Sequence, residues 1–139
     1  MDEPLVIGVV LRADVRGWKG APPKLPLHPV KEEAGRDGSV SFFYNLTPPE
    51  TDVTARTLGA RLASRIERML AGAKSPFAKQ DVPRQFFLDV GLMFDRETES
   101  FATSWEPEFL RVLGECGVEL VVTHYPMAFE GEPLSEDEL

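Results

Sequence analysis

The chain has 139 residues, 42% of them hydrophobic and 27% charged, with a formal net charge of −8. That length suits one domain, able to bury a real core without disulfides or metals as staples. The acidity argues against general nucleic-acid binding, which needs cations to displace phosphate counterions, and no apolar run is long enough to span a bilayer.

The N-terminus, Met1-Asp2-Glu3-Pro4, carries no basic n-region, so the cytoplasm is the expected compartment. Residues 5–13 form an almost unbroken apolar run rich in Val and Ile. Such a run predicts a central strand covered on both faces. Residues 16–38 follow, with four prolines and four glycines, and are expected to form a long loop. Residues 39–46 alternate, with Val40, Phe42, Tyr44 and Leu46 on one face, and read as a second strand.

Thr47-Pro48-Pro49-Glu50 has the form of a helix start, with Thr47 as cap and Glu50 at the capping-box position. The helix is expected to run to Leu70 and stop near Gly72, burying Ala55, Leu58, Leu62, Ile66 and Met69. A polar connection leads to residues 85–94, an alternating strand with Phe86, Leu88, Val90, Leu92 and Phe94 inward. Asp95-Arg96-Glu97-Thr98 then reads as a hairpin turn, and residues 100–104 as a strand pairing back. Thr103 or Ser104 is expected to cap a second helix over 106–116, ended by Gly117. Residues 118–125 make the last strand. The predicted order is β-β-α-β-β-α-β. This is an α+β fold, a mostly antiparallel sheet of about five strands with two helices on one face. The domain spans 1–129, and 130–139 is an acidic tail expected to be disordered.

Charge is segregated along the chain. Residues 85–139 hold thirteen acidic and two basic side chains, whereas residues 54–84 hold seven basic and two acidic ones. Segregated charge is a statement about partners. Arg61, Arg65 and Arg68 fall at four- and three-residue steps and form a stripe along the first helix. Asp95, Glu97, Glu99, Glu106, Glu108, Glu115 and Glu119 make an acidic surface, the candidate docking patch for a basic protein. Trp18, on the long loop, is the candidate aromatic anchor, while Trp105 is expected in the core.

The motifs that would carry catalysis or cofactors are incomplete. Gly17-Trp18-Lys19-Gly20 has the GxxG form but follows a strand and enters a proline-rich segment, so it reads as a turn. Gly72-Ala73-Lys74-Ser75 lacks the upstream glycine and strand of a phosphate loop. Asp95, Glu97 and Glu99 are spaced as in calcium loops, without the central glycine or the distal bidentate glutamate. His28 and His124 have no ligand or nucleophile at useful spacing, and Cys116, on the apolar side of a helix, reads as a core residue. No metal or cofactor is expected.

The segment Phe101-Ala102-Thr103-Ser104-Trp105-Glu106-Pro107-Glu108-Phe109-Leu110, with Leu113, Gly117 and the final strand, resembles the closing segment of small uncharacterised bacterial α+β domains. In size, acidity and lack of catalytic residues the chain is also similar to the immunity proteins encoded beside bacterial polymorphic toxins. That likeness implies a non-catalytic cytosolic protein that neutralises a basic toxin, such as a nuclease, by occlusion. Two alternatives stand beside it. One is a homodimeric domain that pairs through an edge strand, either residues 39–46 or 118–125. The other is a small-molecule binder or enzyme whose polar residues, Tyr44 and His124 among them, converge only in the fold.

Overall fold

The computed structural model describes residues 3–25, 30–35, 37–95 and 102–127. Its elements, in chain order, are β1 (Leu5–Arg16), β2 (Val30–Ala34), β3 (Ser39–Asn45), α1 (Ala55–Leu70), β4 (Arg84–Phe94), α2 (Pro107–Glu115) and β5 (Val118–Pro126). The five strands form one sheet in the order β2-β3-β1-β4-β5. Three of its pairings are antiparallel, and β4–β5 is parallel. The fold is thus α+β with a mostly antiparallel sheet.

Period-two alternation builds the core. Val9, Leu11, Ala13 and Val15 of β1, Phe42 and Tyr44 of β3, and Phe86, Leu88, Val90 and Leu92 of β4 are all buried on one face. Leu58, Leu62, Ile66 and Met69 of α1 and Phe109, Val112 and Leu113 of α2 cover them. Each helix shows the three- and four-residue spacing that puts one stripe against a sheet. The helices meet each other where Gly59 lets the Phe109 ring approach; a Cβ at 59 would stand 3.1 Å from Phe109 Cβ and Cγ. Trp105 stacks on Phe109, with ring centroids 5.6 Å apart.

The opposite face of the sheet carries neither helix. β1 is central, but among the described residues it is covered on one side only, contrary to the expectation from its apolar run. A bulge at Ile7 explains part of the misreading. Val6 pairs with Leu92 and Gly8 with Gly91, so the inward phase switches from even to odd positions there. The run looks continuous because two phases are joined end to end.

Other expectations are corrected. The loop over 16–38 contains β2, which extends the sheet beside β3. The first helix begins at Ala55, not after Thr47, and its cap is Thr54, which exchanges hydrogen bonds with Thr57. Thr47 is engaged elsewhere: its hydroxyl accepts from the Val9 amide at 2.9 Å. Residues 102–104 are not strand, and α2 is capped by Glu106 with no side-chain bond, so neither Thr103 nor Ser104 serves. The element order is therefore β-β-β-α-β-α-β. Gly117 does end α2 in the left-handed conformation, with φ of 68°. Residues 39–45 lie between β2 and β1 and are not an edge; β2 and β5 are the edges. The hairpin proposed at 95–98 extends past Asp95 outside the described residues, as do Glu97, Glu99, His28 and the tail from 128.

Candidate functional site: the open face of the sheet

The acidic side chains expected to act together are divided between two sides of the molecule. Glu108 and Glu115 are exposed on α2, on the helix-covered side. Arg111 holds both: its guanidinium pairs with Glu108, donates to Glu115 at 2.6 Å and lies 3.7 Å from Glu67. The hydrogen bond from Arg111 draws the Glu108 carboxyl below its ordinary range, and Glu108 and Glu115 raise the guanidinium in turn. This cluster is substantially self-paired. Glu106 is half-buried at the N-cap, and Asp95 is half-buried just past β4. Glu119 points the other way: its register with Phe87 puts it on the uncovered sheet face.

Trp18 does not project outward as an anchor. Its ring packs edge-on to Phe42 and tilted against Phe77, each at 6.1 Å, and its Nε1 donates to the Ala21 carbonyl. It closes one end of the core, together with Tyr44, whose hydroxyl donates to Pro23 O at 2.6 Å. Tyr44 is therefore a core residue on β3, separated by β1 and β4 from His124 on the edge strand β5. Cys116 is half-buried; burial, then Glu67 and Glu115, push its thiol up, which opposes reactivity. Among the described residues no group of three or more His, Cys, Asp or Glu is placed to hold a metal. Likewise, no described helix is long and apolar enough to cross a membrane.

What the fold does bring together is a surface the sequence reading passed over. Cross-strand register arranges the open face in rows. One row crosses all five strands: Lys31, Phe43, Arg12, Phe87 and Glu119. Its cations lie over its rings, Arg12 Cζ at 4.1 Å from the Phe87 centroid and Lys31 Nζ at 5.8 Å from that of Phe43. The next row is Val10, Asp89 and Val121; after it come Gly8, Gly91 and Thr123, then Leu5, Met93 and Tyr125. Phe43, Phe87, Val10, Met93, Val121 and Tyr125 are half-buried, and Ile7, in the bulge, is 47% exposed.

The carboxylates of this face differ. Asp14 is satisfied, accepting from Ser41 Oγ at 2.7 Å and facing Arg12 Nε at 3.5 Å. Asp89 makes no hydrogen bond or ion pair with a described residue. A sequence signal for the face did exist. The outward phase of residues 85–93 reads Gln85, Phe87, Asp89, Gly91, Met93, and a solvated strand face has no need of Phe87 or Met93.

No family model, curated protein or solved structure matches this chain.

Proposed function

We propose that this chain is a non-catalytic binding protein that docks a basic protein partner on the open face of its sheet. The observation that carries the reading is that uncovered face, with its apolar and aromatic centre and its mixed-charge surround. Contiguous apolar area rimmed by polar groups marks a protein interaction site. Half-buried aromatics held in register on a rigid sheet lose little entropy on docking, which suits them as anchors. The chain's net charge of −8 favours encounter with a cationic surface.

The finer form of the reading is an immunity protein that neutralises a toxin by occlusion. A nuclease is the fitting toxin class, since a surface that grips a polyanion is itself basic. Occlusion needs no catalytic group, only a stiff face and its charges. The β2 edge supports a face-on mode over strand pairing between copies there: it presents exposed Lys31, Glu32 and Glu33 along the sheet margin. Charged edge strands resist pairing with another chain.

The test is capture of a basic partner from the native lysate at low salt, by the wild type and by Val121→Glu. Val121 is half-buried at the centre of the β5 side, where a carboxylate can still reach solvent. Val121→Glu is expected to melt like the wild type and to lose the partner, whereas Glu108→Gln with Glu115→Gln keeps it. Undiminished capture by Val121→Glu would remove the open face from the interface.

A further inference from the structure

The open face contains a groove of ≈330 Å³ between β1, β4 and β5. Two glycines, paired across the strands as Gly8 and Gly91, form its floor. Their places in the two strands are not equivalent. A Cβ at Gly91 would stand 3.2 Å from Tyr125 Cε2 and 3.4 Å from Ile7 Cγ1, so Gly91 is what lets those two side chains lean together over β4. A Cβ at Gly8 would meet nothing within 4 Å, so Gly8 leaves open space. Thr123 contributes a hydroxyl, and among the described residues Asp89 is the only charged group in the lining.

The same face shows what such a groove accepts. One row along the same β1–β4 pair, Arg12 lies over the Phe87 ring at 4.1 Å while its Nε faces the Asp14 carboxylate at 3.5 Å. Asp89 and Tyr125 repeat the carboxylate and the ring, and no cation among the described residues pairs with Asp89. We infer that the groove takes an arginine side chain of the docked partner, its guanidinium on Asp89 and against the Tyr125 ring. This deepens the docking reading and rests on it.

The chemistry favours arginine over lysine. A planar guanidinium meets a carboxylate with two parallel hydrogen bonds and also lies flat on an aromatic ring. Its apolar stem can run along Ile7 and the glycine backbone, where a bulkier floor would exclude it. The half-buried setting of Asp89 strengthens the attraction relative to a fully solvated pair.

The probe is N-acetyl-arginine-N-methylamide, titrated into the ¹⁵N-labelled full chain, with the citrulline analogue as a neutral isostere. Saturable shifts at the Gly8, Gly91 and Thr123 amides are expected with the arginine compound. Citrulline is expected to bind about fivefold more weakly or worse, and Asp89→Asn to bring arginine down to that level. Asp89 supports no internal contact, so Asp89→Asn should melt like the wild type. Gly8→Val, which fills the floor without touching Asp89, should also abolish the shifts. Equal responses to arginine and citrulline, or an arginine response indifferent to Asp89→Asn, would overturn the assignment. The two readings fail separately. Loss of the partner by Val121→Glu with a flat arginine titration overturns only the arginine assignment. Partner capture that survives Val121→Glu overturns the docking reading itself.

Discussion

Arg111 is the residue that redistributes the chain's acidity. Sequence spacing puts Glu108 three positions before it and Glu115 four after, both within reach on one helix face. The folded state draws the Glu108 carboxyl down through its hydrogen bond with Arg111. A carboxyl whose pKa is lowered by folding contributes stability above its unfolded value and loses it as pH falls through the folded one. The gap in Tm between the wild type and Arg111→Gln should therefore be open well above the ordinary glutamate value of 4.5 and close below it. A thermal melt series in acid checks this; a gap that widened in acid would contradict it. The pair is exposed, so the gap should be small and should shrink with salt.

At the scale of elements, the contact between α1 and α2 turns on Gly59. Replacing it by Ala would ordinarily favour a helix by up to about 1 kcal/mol. Here the new methyl would meet Phe109 at 3.1 Å, and Phe109 is fully buried and pinned by Trp105. It cannot give way cheaply, so overpacking at about 1–3 kcal/mol should win and Gly59→Ala should lower stability in urea unfolding. Gly59→Ala with Phe109→Leu should recover part of the loss. The elements themselves were unevenly legible. Strands and helices with a clean period declared themselves: β3, β4, β5 and the apolar stripes of both helices. β2 did not, because five residues of charged edge strand inside a Pro- and Gly-rich segment carry no alternation signal. The start of α1 was misplaced for a different reason. Thr47 has the right neighbours for a cap, but its hydroxyl is committed to β1, a long-range contact that no local pattern records.

For the whole molecule, the question is which side faces a partner. Charge patterning along the chain points to α2 and its surroundings, but it is blind to layer. Helices and sheet faces close in sequence can lie on opposite sides of a two-layer fold, as Glu115 and Glu119 do. The open face was hidden because its residues come from five strands, and each strand alone puts at most one aromatic on it. Once in register, Phe43, Arg12, Phe87 and Glu119 form a continuous row, with Asp89 in the row beside it. Docking there should be sensitive to shape and desolvation at the centre, with charge acting mainly on the rate of encounter.

The most direct measurement is carbodiimide footprinting of carboxylates, read by mass spectrometry, on the free chain and on its complex with the captured partner. The open-face account expects Asp89 and Glu119 to be protected in the complex, while Glu108 and Glu115 label as they do in the free chain. Protection of Glu108 and Glu115, with Asp89 and Glu119 still labelling freely, would contradict it and return the interface to the helical side.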